Sequence, residues 1–90
     1  MNENIKKIWK YDIPIHDNFS FLMPSGAKIL HFGLQYNLPW IWVLINPSKE
    51  TTLRRFRLVG TGHTIKEEGL KYIGTIKMAQ DRLIYHLFEY

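Results

Sequence analysis

Cysteine is absent from this chain. That one absence excludes disulfide staples, thiolate zinc sites and a cysteine nucleophile together, and it fits a reducing compartment, so the cytoplasm is the expected location. Long hydrophobic runs are missing too. The longest, residues 39–45, falls far short of the ~20 residues that span a bilayer as a helix. The start, MNENIKKIWK, lacks the apolar core of a signal peptide. No linker, repeat or low-complexity tract divides the chain, and 90 residues make one domain, 1–90. A domain this small buries a modest share of its surface, which favours pairing with copies of itself, so a homo-oligomer is expected.

Aromatic residues are abundant. Three Trp, five Tyr and five Phe form 14% of the chain, and such side chains dominate both cores and binding surfaces. The net charge of +4 favours anionic partners, although simple solubility explains it equally well.

Apolar residues recur with period two between turn signals, the signature of strands. Residues 5–13 alternate, with Ile5, Trp9, Tyr11 and Ile13 on one side and Lys6, Lys10 and Asp12 on the other. Trp9 reads as a packing residue. Further strands are expected over 19–23, 27–35, 40–46, 53–59, 71–78 and 83–90. The 40–46 segment is apolar on both faces and belongs in the middle of a sheet. Residues 36–39 read as a hairpin loop. Thr64-Ile65-Lys66-Glu67 has capping-box spacing, which predicts one helical turn ended by Gly69. The fold class is therefore all-β: a small antiparallel sandwich or partly open barrel of about six or seven strands, with at most one short helical turn.

Strand faces suggest a site. If Leu30, Phe32, Leu34, Phe56, Leu58, Ile76 and Met78 face the core, the opposite face carries His31, Gln35, Arg55, Arg57, Thr75 and Lys77. One of Trp40 and Trp42 joins them, with Trp42 the choice. Arginine offers a planar fork to phosphate, and an aromatic face stacks on a base. The plain alternative is a solvated face with arginine stems lying over apolar neighbours. Gly60-Thr61-Gly62-His63 is the second candidate, because glycines around a threonine let backbone amides converge on an anion. It lacks the lysine and length of a P-loop, and a simple turn needing positive φ is the commoner use.

Catalytic signatures are sparse. His16, His31, His63 and His86 share no metal-ligand spacing. Ser20, Ser25 and Ser48 lie in or beside turns, without a nucleophile-elbow context. A binding protein rather than an enzyme is expected, with no cofactor. A metal-independent nuclease or phosphodiesterase using His63 and His31 is the weakest alternative.

The chain also resembles a family of small phage and prophage domains. The resemblance rests on Ile8-Trp9-Lys10-Tyr11 with Ile13-Pro14, and on Met23-Pro24-x-Gly26-Ala27-Lys28-Ile29-Leu30-His31 running to Gly33-x-Gln35. It continues in Arg55-Phe56-Arg57-x-Val59-Gly60-Thr61-Gly62-His63, in Tyr72-Ile73-Gly74-Thr75 and in His86-x-Phe88-Glu89. It implies a viral protein with a compact β fold, acting in the cytoplasm of an infected bacterial host. It also implies a role against host defence, either as a sponge for a small, phosphorylated and cyclic nucleotide messenger or as a blocker of a host protein. The ligand-binding residues expected for the sponge are Arg55, Arg57, Gly60, Thr61, Gly62, His63, His31, Gln35 and Trp42.

Overall fold

The structure, a computed structural model, describes residues 4–90. Seven strands follow in order: β1 (Lys7–Asp12), β2 (Asn18–Pro24), β3 (Lys28–Gln35), β4 (Leu38–Ile45), β5 (Thr51–Gly60), β6 (Lys71–Met78) and β7 (Leu83–Glu89). They form two antiparallel sheets, β1-β4-β3 and β2-β5-β7-β6. The domain is an all-β sandwich, and the sheets do not close into a barrel. Among the described residues there is no helix, so none is long and apolar enough to cross a membrane.

Alternation explains the layers. In β4, Pro39, Ile41, Val43 and Ile45 are buried, while Leu38, Trp40, Trp42 and Leu44 point outward. The strand is apolar on both faces and sits centrally in its sheet, as its composition suggests. Ile41, Val43, Phe56, Met23 and Leu87 form the driest part of the core. Burying each such side chain contributes about 1.5–3 kcal/mol. Along the β1/β2 side the core is filled by rings: Tyr11 lies 5.2 Å from Phe21, and Phe19 stacks on Phe56 at 5.5 Å. Trp9 shares the inward row of β1 but stays 41% exposed, so it packs less than expected.

The two sheets approach most closely where β3 runs beside β6. Gly74 makes this possible, since a Cβ there would lie 3.3 Å from the Cβ of Phe32. Both strands carry a register shift at this seam, between Ile29 and His31 in β3 and between Tyr72 and Gly74 in β6. The β3 bulge turns Ile29 inward against the core and leaves Leu30 45% exposed. Simple alternation places Leu30 in the core, and the extra residue is why it is not there.

Two local expectations change. The loop between β3 and β4 is only Tyr36-Asn37, both with positive φ, 53° and 62°. That is the tight two-residue hairpin geometry whose twist matches the strands. Leu38 and Pro39 therefore belong to β4. Pro39 pairs with Leu34 of β3, and its carbonyl accepts from the Ile13 amide at 3.0 Å just beyond the β1–β4 pairing of Trp40–Ile45, so its missing amide falls at the end of that ladder. Residues 64–68 form no helical turn. Arg57 holds this segment extended across β5: Nη2 donates to the Thr64 carbonyl at 3.3 Å, and Nε donates to Glu67 at 2.7 Å. The Glu67 carboxylate, which would close a capping box, is drawn to Arg57 instead.

Candidate functional site

The nine expected ligand-binding residues do not gather on one surface. His31, Gln35 and Trp42 lie on the outer face of β1-β4-β3. Arg55, Arg57 and the Gly60–His63 turn belong to the other sheet. A common face for all of them requires their strands to share one sheet. The split into two layers puts the two groups on opposite sides of the sandwich.

On the first face, Trp40 and Trp42 project side by side from β4. Lys10 of β1 reaches across the sheet to the Gln35 side-chain oxygen of β3, and its ammonium sits 4.4 Å from the centre of the Trp40 ring. The Trp40 indole N–H donates to the Gln35 carbonyl at 3.3 Å. One face of Trp40 is thereby covered by a cation. Trp42 instead neighbours His31, with ring centres 5.7 Å apart and planes tilted by 36°. The His31 imidazole lies directly over Gly33, where a Cβ would come within 2.5 Å of Nε2. Glycine at 33 is what lets the imidazole lie flat on the strand.

On the second sheet the arginines have structural work. Arg57 is nearly enclosed, its side chain 12% exposed, and binds Glu67, the Leu58 carbonyl and the Thr64 carbonyl. Its fork is filled by the protein itself. Val59, on the same outward row, is only 4% exposed. Arg54 pairs with Glu89 and the Ala27 carbonyl. Arg55 is exposed and lies over the Tyr90 ring at 4.4 Å. The Glu67 carboxyl is held below its usual range by backbone hydrogen bonding at Glu67 itself, opposed by desolvation, and then by hydrogen bonds from Tyr90 and Arg57.

The Gly60–His63 turn stands at the end of β5. Its Thr61 amide donates to the Ile84 carbonyl at 3.1 Å, and its His63 amide to the Gly60 carbonyl at 3.0 Å. Two of the amides available for an anion nest are thus used by the fold. Gly62, with φ of 91°, supplies the left-handed step that brings His63 back over Gly60. A Cβ at Gly60 would sit 3.1 Å from the imidazole.

This return opens a cleft of about 370 Å³ between the turn and the start of β7. Thr61, His63, Arg82 and Tyr85 line it. A smaller cavity of about 170 Å³ adjoins it, sharing Gly60, His63 and Tyr85 and adding His16 and Asp17. Behind the cleft runs a hydrogen-bonded chain. His86 Nε2 meets the Thr61 hydroxyl at 2.7 Å, and Nδ1 meets the Thr75 hydroxyl at 2.8 Å. Tyr72 continues it from Thr75. Thr61 is therefore oriented by a half-buried histidine. Arg82 follows Ala79, Gln80 and Asp81, three consecutive non-glycine residues with φ of 50°, 58° and 65°. Such backbone strain clusters at functional sites.

Arg82, Tyr85 and His16 were not visible as site residues in the sequence. The only signal was turn chemistry at 79–82, and the pairing of β5 with β7 that joins this turn to Gly60 is long range. His31 and His63, the pair considered for acid and base, lie on different sheets. His63 shares the smaller cavity with His16 instead. Among the described residues, no three metal-binding side chains cluster.

The chain belongs to a family described as a domain of unknown function (DUF7352), whose model matches residues 4–90. No curated protein and no solved structure matches it.

Proposed function

We propose that the protein is a non-catalytic binding protein for a small phosphorylated nucleotide, and that it acts as a homo-oligomer. The observation that carries this reading is the cleft shared by the Gly60–His63 turn and the β6–β7 turn. It joins a cation, Arg82, to His63, the Thr61 hydroxyl and the aromatic edge of Tyr85. Its volume falls within the range of small-ligand sites, about 300–1,000 Å³. Arg82 and His63 would meet the phosphate, Thr61 would hydrogen-bond it, and Tyr85 would lie against the base or sugar. Arg57 supports the surrounding loop rather than the ligand, and exposed Arg55 adds to the positive field around the sheet.

Association is supported by the β2 edge. Leu22 and Leu53 are register partners and remain 63% and 60% exposed on the outer face beside an open strand edge. Exposed apolar pairs at strand edges favour contact with another copy. Sequestering a nucleotide signal in an infected bacterium is the biological setting that the sequence resemblance implies for such a binder.

The test is a thermal-shift screen against linear and cyclic nucleotides, followed by calorimetry. A ligand selective for the native state raises Tm. We expect one nucleotide class to do so, and to be recovered chemically intact. Both His63→Ala and Arg82→Ala alter exposed side chains, so they should weaken binding at an unchanged unliganded Tm. The reading fails if no nucleotide raises Tm, or if both variants bind like the parent.

A further inference from the structure

A basic cleft lies at the opposite end of the other sheet. It has a volume of about 450 Å³ and is walled by Lys6, Lys28 and Lys49, with Ser25, Gly26 and Leu44 between them. Among the described residues, no acidic side chain lines it. Among the described residues, the ion pairs are those of Arg54 and Arg57, and the three lysines line the cleft with no carboxylate paired to them. Three like charges around one concavity repel each other and concentrate a positive potential, which an anion relieves.

The cleft continues into the aromatic face. Lys28 and Leu44 are register partners in one outward row, and Trp42 stands in the next row, beside His31 and Lys10. Successive outward residues of a strand lie ~7 Å apart, two residues at ~3.4 Å. An aromatic surface is thus placed one step from a lysine cluster. Trp40 is occupied by Lys10, which leaves Trp42 with His31 as the ring pair nearest the cleft.

We propose that this face and its cleft form a second binding surface, specific for single-stranded nucleic acid. A base stacks on Trp42 and His31, and the neighbouring phosphates lie among Lys28, Lys49 and Lys6. Stacking is sequence-tolerant because every base has a π face, and lysines neutralise phosphates without reading sequence. A duplex keeps its bases stacked on each other and leaves Trp42 unused. An acidic protein segment would use the lysines but gain nothing from the rings. This surface is on the other sheet from the Gly60–His63 cleft and at the other end of the strands, so it stands or falls independently of that site.

The experiment is fluorescence anisotropy of a labelled oligothymidylate titrated with the full chain at several salt concentrations. The variants are Lys28→Ala/Lys49→Ala, Trp42→Leu and, as control, Arg82→Ala, each checked for fold by circular dichroism. We expect the parent to bind. The lysine pair should lower the salt slope by ~1.4, because each phosphate contact contributes ~0.7 for a single strand. Trp42→Leu should weaken binding about tenfold with an unchanged slope, and Arg82→Ala should bind as the parent does. Duplex of the same length should compete poorly. The proposal is overturned if the parent fails to bind at low salt, if the lysine pair leaves the slope unchanged, or if polyglutamate competes as well as the oligonucleotide. The last result would make an acidic protein surface the occupant.

Discussion

Arg54 offers the sharpest test of how the sandwich is held shut at one end. Its Nε and Nη2 take both oxygens of Glu89 on β7, the second at 2.9 Å, while Nη1 donates to the Ala27 carbonyl at 2.7 Å, just before β3. One side chain therefore joins β5 to its neighbour β7 and to the facing sheet. The hydrogen bond to Glu89 raises the Arg54 pKa against the opposing effect of burial, so the guanidinium stays charged. Arg54→Met keeps the stem but removes the fork, leaving Glu89 and a carbonyl without their donor. Charge-assisted hydrogen bonds contribute about 1.5–3 kcal/mol each, but they are not additive here. The side chains are 22% and 17% exposed, so water replaces part of what is lost, and a total cost of ~2–3 kcal/mol is expected. In a domain of this size that lowers Tm by roughly 10–20 °C. Urea unfolding followed by tryptophan fluorescence should show a lower midpoint at constant slope. A double-mutant cycle with Glu89→Gln should return a coupling of ~1–2 kcal/mol. A Tm within about 3 °C of the parent, with no coupling, would refute the assignment of Arg54 as the clamp between the layers.

Two further predictions concern the seam and the extended loop. Gly74→Val should cost ~1–3 kcal/mol by overpacking against Phe32, and Gly74→Ala less; equal stability of the valine variant in thermal melts would show that β3 and β6 are not in close contact. Glu67 has a folded pKa below its unfolded value, so its contribution is present above about pH 4.3 and is lost as pH falls through the folded value. Glu67→Gln should therefore flatten the acid limb of the stability profile below about pH 4.3, and coincident parent and variant curves there would count against the Arg57–Glu67–Tyr90 arrangement.

Much of the domain is legible in the sequence, because its strands alternate cleanly and side-chain direction follows period two. The central place of β4, the inward rows of Phe56 and Leu58, and the turn at Gly60–His63 all follow from residues near in sequence. What was misread has physical causes. The bulge at Leu30 adds one residue and reverses the face of everything before it, which no periodicity count detects. The capping-box spacing of Thr64 and Glu67 is a local preference, and Arg57, a tertiary partner, overrides it.

The candidate site shows the same boundary. Strand alternation puts His31, Gln35 and Trp42 on one face with Arg55, Arg57, Thr75 and Lys77, and marks Gly60–His63 as a separate turn; the turn forms, while the expected face divides between the two sheets. The sequence alone determined the all-β class, a count of about six or seven strands and the Gly60–His63 turn, since all depend on alternation and turn residues. Only the tertiary structure decided that the expected face divides between two sheets, that Arg57 is consumed by its own loop, and that Arg82 joins His63 while Lys6, Lys28 and Lys49 share one cleft. Those outcomes depend on which strands become neighbours, a choice made by long-range packing of apolar faces that are interchangeable in their local pattern.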